Sequence, residues 1–148
     1  YNDALVEEQH AVATKINEFM SFIENEKIDS ATNTTQFVEQ IEQLKSHVIA
    51  QIEKSTKKLD SIGNYKQNNS FRSSLSLLFE EYKKGIETNY YKLGTYQTLP
   101  DSSQSPYNYH QIVLGATYTD SVIELAEQNF IQAQQNFSTE SGIEIENQ

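Results

Sequence analysis

The chain contains no cysteine and no tryptophan, and only five glycines and two prolines among its 148 residues. Without cysteine it can form neither disulfide bonds nor thiolate metal sites. The small number of glycines and prolines argues against a turn-rich all-β fold and favours long helices. No apolar run approaches the roughly 18 residues that a transmembrane helix needs. The length fits a single domain, 1–148, which can bury a sizeable core without cross-links.

Positive charge is scarce as well, and it is missing from residues 93–148. The formal net charge at pH 7 is -10, from 11 basic and 21 acidic side chains, and the last basic residue is Lys92. A field of this sign repels phosphate backbones and anionic lipid head groups. The sequence therefore disfavours nucleic-acid binding and a polybasic membrane contact.

Four segments repeat apolar residues at alternating steps of three and four, which is the spacing of one face of a helix. They predict helices at about 3–26, 34–62, 70–97 and 106–139, followed by a tail at 140–148. The connections between them are short, and short connections favour antiparallel neighbours. The sequence therefore predicts an all-α protein, an antiparallel up-down-up-down four-helix bundle.

Local signals mark some helix ends. Ser105 followed by Pro106 is typical of an N-cap and the first helical position, and Gly142 is predicted to end the last helix. Gly85 and Gly94 weaken the third helix by up to about 1 kcal/mol each relative to alanine. The last turns of that helix are therefore predicted to be distorted.

Glu7 and His10 have the Glu-x-x-His spacing of carboxylate-bridged di-metal bundles. Such sites need this motif on two helices and inward carboxylates on the other two. Neither of the other two histidines follows an acid by three residues. The apolar stripe passes through Leu5, Gln9 and Val12, which places Glu7 and His10 on its flank. We therefore predict a solvated helix face, with no metal or other cofactor, and keep the pair as a weak metal candidate.

An acidic row, Asp120, Glu124 and Glu127, follows the spacing i, i+4, i+7 on one face of the last helix. Calcium is usually wrapped by a flexible loop, whereas a straight helix presents its carboxylates in a line. We interpret the row as a solvated or salt-bridged face. No catalytic residue is predicted, and the protein is predicted to be non-enzymatic.

The tyrosines are the most informative feature, because six of nine flank the connection between the third and fourth helices. These are Tyr90, Tyr91, Tyr96, Tyr107, Tyr109 and Tyr118, with His110 among them. Tyrosine offers a large apolar ring and a hydroxyl at small entropic cost, so the cluster is the best candidate for a partner or ligand surface. The alternative interpretation is that the rings plug one end of the core with their hydroxyls in water.

Three stretches carry a family resemblance: YNDALVEEQ, NNSFRSSLSLLFEEYKKGIETNYYKL and FIQAQQNFSTESGIEI. They resemble a family of small exported lipoproteins of Bacteroidetes and Leptospira. In that family the YND stretch follows a signal peptide and a lipidated cysteine, and the mature part is helical with no assigned activity. The resemblance implies a bacterial cell-envelope protein, periplasmic or on the cell surface, with a lipid anchor upstream of Tyr1.

Together these features predict a non-enzymatic, envelope-tethered helical bundle that binds an unknown protein or surface ligand or has a structural role. It would contact a membrane only through the upstream anchor. Two alternatives remain open: a ligand- or metal-handling bundle of the di-iron type, and an oligomerising stalk or adaptor.

Overall fold

A computed structural model describes residues 1–28, 34–66 and 69–142. In these residues the apolar repeats form four long α-helices and a short one. They are α1 at Asn2–Asn25, α2 at Thr34–Ile62, α3 at Ser70–Glu87, α4 at Asn89–Thr95 and α5 at Pro106–Ser141. Two 3-10 helices, Tyr96–Thr98 and Asp101–Ser103, join α4 to α5. The described ranges contain no strand, and the all-α class predicted from the sequence is confirmed.

The third predicted helix, 70–97, is divided in the structure. Thr88 has φ -123° and ψ -94°, outside the helical region, so α3 ends before it and α4 begins after it. The Thr88 hydroxyl donates to the backbone carbonyl of Lys84 at 2.6 Å, which satisfies a carbonyl of the last turn of α3. Gly94 lets α4 lie against α1, because a Cβ at this position would stand 2.7 Å from Cγ2 of Ile23.

The ends of α5 match their sequence signals. The Ser105 side chain accepts a hydrogen bond from the backbone N–H of Asn108 at 3.1 Å, with Pro106 in the first turn. Gly142 follows the last helical residue with a left-handed φ of 65°. The helix thus extends two residues past its predicted end at 139. The rest of the predicted tail, 143–148, lies outside the described residues.

The core lies between the apolar faces of the helices. Its fully buried members include Leu5, Val12, Phe19, Ile41, Val48, Leu59, Leu75, Leu78, Phe79 and Ile86. From α5, Ile123, Phe130 and Phe137 recur at intervals of seven residues and are also buried. Burying side chains of this size contributes roughly 1.5–3 kcal/mol each, so this core is the main source of stability.

An aromatic cluster closes one end of the core, and we call this the aromatic end. Tyr1 lies with its ring centroid 5.4 Å from Tyr65 and 5.2 Å from Phe137, and Phe71 lies 5.2 Å from Phe130. These residues come from the start of α1, the segment after α2, the start of α3 and the end of α5. Four parts of the chain therefore cover the same rings.

The other end of α1 lies beside the connection between α4 and α5, and we call this the connector end. The Phe22 ring is 5.3 Å from the ring of Phe37 at the start of α2. The backbone N–H of Ile28 donates to the side-chain oxygen of Gln97 in the first 3-10 helix at 2.9 Å. The connector between α4 and α5 is thereby held against the segment that follows α1.

Candidate functional site

The tyrosines predicted to form one cluster divide into separate groups. Tyr90 on α4 is only 5% exposed, and its hydroxyl donates a hydrogen bond to the carboxylate of Asp120. Tyr82 on α3 is buried in the same way and donates to Glu127 at 2.5 Å. Burial raises the pKa of both phenols well above its ordinary value, and the accepting carboxylates raise it further. Tyr90 therefore belongs to the contact between α4 and α5 rather than to an exposed surface.

The acidic row of α5 has a role in addition to the predicted solvated or salt-bridged face. Asp120 and Glu127 accept the hydrogen bonds from the two buried tyrosines, and Asp120 and Glu124 are both exposed. Two of the three carboxylates thus hold α5 to α3 and α4. The row could not be assigned from its spacing, because a solvated face and an acceptor row have the same periodicity.

Tyr91 also serves a contact between helices. Lys45 of α2 lies with its Nζ 4.3 Å from the centroid of the Tyr91 ring. A hydrogen bond with Glu42 and burial of the phenol raise the pKa of Tyr91. Hydrogen bonds from Tyr91 and Lys45 lower the pKa of Glu42. This group joins α4 to α2 and leaves Tyr91 half-buried.

Apart from Tyr118, the remaining predicted residues lie at the surface of the connector end. They are Tyr96, Tyr107, Tyr109 and His110, and we call them the connector patch. The rings of Tyr96 and Tyr109 lie 5.2 Å apart, and the Tyr96 hydroxyl donates to the backbone carbonyl of Ser105 at 3.2 Å. Tyr107 and Tyr109 remain 71% and 49% exposed, and His110 is exposed. The structure thus brings Tyr96 and Tyr109 into contact, leaves Tyr107 and His110 exposed in the first turns of α5, and separates Tyr90 and Tyr91 from all four.

A second exposed surface runs along α5 from the same end. Tyr107, Leu114, Tyr118 and Leu125 are 71%, 48%, 68% and 60% exposed, and we call them the outer stripe. At 100° per residue they lie within about 40° of one another on the helix. The buried residue Ile123 lies about 160° away, so the stripe faces outward. The sequence contains this second periodicity beside the buried stripe of the same helix.

A buried carboxylate of α1 pairs with a half-exposed lysine of α2, and the sequence does not predict this contact. Glu8 is 4% exposed, with Lys58 Nζ 2.5 Å from one carboxylate oxygen and Ser55 Oγ donating to the other at 2.6 Å. Burial raises the pKa of Glu8, but the hydrogen bonds from Lys58 and Ser55 outweigh it, and the net pKa lies below the ordinary value. The hydrogen bond with Glu8 in turn raises the pKa of Lys58. Both shifts reflect a stabilising contact between the two helices.

Ser55 and Lys58 have the Ser-x-x-Lys spacing of some acylating enzymes. Ser55 is fully buried, and its Oγ both donates to Glu8 and accepts from the side-chain amide of Gln51 at 3.0 Å. A nucleophilic hydroxyl has to reach a substrate carbonyl. The side chains around Ser55 prevent such an approach, so this group can hold the helices together but has no open face for a substrate.

The weak metal candidates lie on the outside of α1. Glu7 and His10 are exposed, and Glu7 is 3.7 Å from Nζ of Lys58. Within residues 1–28, 34–66 and 69–142, no three His, Asp or Glu side chains come together in a way that could hold a metal ion.

A shallow groove of about 200 Å³ lies beside the aromatic end. Its floor contains the rings of Phe71 and Phe137, and its rim carries the side-chain amides of Asn129, Gln132 and Asn136. The side chains of Gln132 and Asn136 hydrogen bond to each other at 3.0 Å. The groove is smaller than the 300–1,000 Å³ that is typical of small-molecule sites.

Comparison with protein-family models, characterised proteins and solved structures gives no significant match to this chain. The resemblance to exported lipoproteins therefore stays a prediction. Among the described helices, none is long and apolar enough to span a membrane.

Proposed function

We propose that this protein is a non-enzymatic interaction module that binds a macromolecular partner through the connector patch and the outer face of α5. The observation that carries the proposal is the high exposure of Tyr107 and Tyr118, at 71% and 68%. Other tyrosines of the same bundle, such as Tyr82 and Tyr90, are buried and hydrogen bonded between helices. The chain thus contains tyrosines that hold the fold together and tyrosines that remain available for contact.

The composition of the surface supports a binding role. Contiguous exposed apolar groups carry a cost in solubility, and such patches commonly mark interaction sites. Tyrosine is enriched among the residues that dominate binding energy. Its rigid ring buries a large area in an interface, and its hydroxyl can form a hydrogen bond there. At the connector end, the contact between Tyr96 and Tyr109 also holds one ring of the patch in place before a partner binds.

We also propose the antiparallel up-down-up-down arrangement of the four long helices, with α3 and α4 together forming the third. Contacts between helix ends support it. Tyr1 at the start of α1 contacts Tyr65 after the end of α2 and Phe137 near the end of α5. Phe22 near the end of α1 contacts Phe37 near the start of α2. In this arrangement the connector patch lies at the end away from Tyr1.

The proposal includes an exported, envelope-tethered location, which rests on the resemblance carried by the YND start. With a tether before Tyr1, the aromatic end would lie near the membrane and the connector patch would face away from it. A partner on the far side could then reach Tyr107 and Tyr109 without contact with the lipid surface.

Site-specific photo-cross-linking in native cells tests the proposal. A photoreactive phenylalanine analogue replaces Tyr109 in the connector patch, and in a matched control it replaces Leu77 of α3, which is 58% exposed. We expect a discrete higher-mass adduct from position 109 and none from position 77. Adducts of equal yield from both positions, or none from position 109, would contradict a binding role for the patch.

A further inference from the structure

The outer stripe of α5 has a spacing that reads the same from both ends. From Tyr107 to Leu114 is seven residues, from Leu114 to Tyr118 four, and from Tyr118 to Leu125 seven. Steps of seven, four and seven place the four side chains on the two apolar positions of a heptad, the seam along which two helices pack side by side. Reversing the direction of the helix exchanges each tyrosine with a leucine.

This pattern matches the rule for a two-fold symmetric interface. In such an interface residue i of one copy contacts residue j of the other, and j contacts i. The order Tyr, Leu, Tyr, Leu with symmetric spacing satisfies this rule when the two helices run antiparallel. We propose that a second copy of this chain binds the outer stripe, with the two α5 helices antiparallel and the symmetry axis level with Ala116, which itself faces the core. The proposal rests on the proposed function, because it identifies the partner at one of the two surfaces.

The side chains pair by size along the seam. Tyr107 lies opposite Leu125 of the second copy, and Leu114 lies opposite its Tyr118. Each large ring therefore meets a smaller aliphatic group, which allows closer packing than two rings in the same layer. Between these layers the exposed side chain of Gln111 lies opposite Ser121 of the second copy, so that a polar layer faces a polar layer.

The charges beside the seam also favour a second copy. At net charge -10 two copies repel each other, and the repulsion is smallest where the contact surface carries few charges. Asp120 and Glu127 lie away from the seam, where they accept hydrogen bonds from Tyr90 and Tyr82. The acid that borders the seam is Glu124, and the two-fold axis places His110 of the second copy beside it. The nearest carboxylate is thus next to an imidazole rather than another carboxylate.

The size of the seam predicts a weak dimer. From Tyr107 to Leu125 the helix is about 27 Å long, and two rings and two leucines per copy would bury on the order of 1,000 Å² in total. This area is typical of transient complexes. We expect a dissociation constant on the order of micromolar, so that protein diluted well below this concentration is monomeric.

The first test measures mass by sedimentation equilibrium from 1 to 200 µM. Wild-type protein should pass from monomer to dimer over this range, and Leu114→Glu should stay monomeric because it places a carboxylate against the ring of Tyr118. Leu77→Glu is the matched control, since Leu77 is equally apolar and exposed but lies on α3, and it should dimerise as the wild type does. Thermal unfolding verifies that both variants are folded. A wild-type monomer at 200 µM would overturn the proposal.

The second test leaves all four residues of the outer stripe in place. Because the chain has no cysteine, His110→Cys and Glu124→Cys each introduce a unique thiol. When the two variants are mixed and mildly oxidised, the antiparallel arrangement predicts a mixed disulfide dimer between them. A mixture of His110→Cys with Gln135→Cys, whose site is exposed on the same helix beyond the seam, should give far less. Same-variant dimers in place of the mixed one would overturn the antiparallel pairing.

These outcomes separate the two proposals. A protein that stays monomeric but gives an adduct to another protein from position 109 in cells disproves the second copy and supports the interaction module. A dimer through α5 that gives no adduct from position 109 supports the second copy and disproves the role of the connector patch.

Discussion

Aromatic side chains differ in exposure between the two ends of the molecule. At the aromatic end, Tyr1, Phe71 and Phe137 are covered by one another and by four parts of the chain. At the connector end, Tyr107 and Tyr109 lie in the first turns of α5 and remain about half exposed or more. Both ends contain tyrosine rings, so the kind of side chain does not explain the difference in exposure. The difference arises from the number of helices and connecting segments that pack against each ring. A ring that is covered on all sides stabilises the fold, and a ring that is left open is available to a partner.

The largest effect expected from this comparison is that of Phe71→Ala. Phe71 is 2% exposed and contacts three other rings, so its removal leaves a cavity and should lower the free energy of unfolding by about 3–5 kcal/mol. Tyr107→Ala at the connector end is the matched variant and should change it by less than about 0.5 kcal/mol. Urea unfolding followed by circular dichroism measures both. Equal losses would show that Tyr107 is also part of the core.

The next largest effect is expected from Glu8→Gln, compared with Glu7→Gln beside it. Glu8 is buried against Ser55 and Lys58, so Glu8→Gln should lower the free energy of unfolding at pH 7 by about 1–2 kcal/mol. Glu7 is exposed, so Glu7→Gln should change the free energy of unfolding little. Because folding lowers the pKa of Glu8, its ionised carboxylate stabilises the fold at pH values above the unfolded-state pKa of about 4.3. This stabilisation is lost as the pH falls through the lower, folded-state pKa.

Unfolding measured from pH 7 to pH 3 tests this dependence. The gap in stability between the wild type and Glu8→Gln should narrow below about pH 4.3. A gap that stays constant down to pH 3 would show that the ionised carboxylate is not the source of the effect.

A smaller effect sharpens the comparison among the tyrosines. Tyr82→Phe removes the hydrogen bond to Glu127 and should lower the free energy of unfolding by about 1 kcal/mol. Tyr118→Phe on the outer stripe should change the free energy of unfolding by less than about 0.5 kcal/mol. Because folding raises the pKa of Tyr82, its contribution is complete below the unfolded-state pKa of about 10 and is lost as the pH rises above it. The stability of the wild type should therefore fall more steeply above pH 10 than that of Tyr82→Phe.

The helices could be predicted from the sequence because their periodicity is a local property. Their bounds in α1, α2 and α5 differ from the predicted ones by at most two residues at each end. The break at Thr88 was missed, although Gly85 and Gly94 had indicated distortion nearby. The break changes the phase of α4, and for this reason the sequence could not tell that Tyr90 is buried while Tyr91 is half-buried.

The buried carboxylate shows a limit of another kind. The apolar spacing of α1 predicts Gln9 on the buried stripe, whereas the structure buries Glu8. Burial of an unpaired carboxylate is costly, so periodicity alone places it outside. Its partners Ser55 and Lys58 are 47 and 50 residues away in sequence, and only the packing of α2 on α1 brings them into reach. The outer stripe of α5, by contrast, was present in the spacing of Tyr107, Leu114, Tyr118 and Leu125.

Hydroxyl-radical footprinting with mass spectrometry tests the central claim most directly, because it reports the exposure of each tyrosine in the protein's own setting. In dilute purified protein, Tyr107, Tyr109 and Tyr118 should be oxidised rapidly and Tyr82 and Tyr90 slowly. In native cells the first three should become protected by the bound partner, with the buried pair unchanged. Equal oxidation of Tyr107, Tyr109 and Tyr118 in cells and in dilute protein would contradict the assignment of this surface to binding.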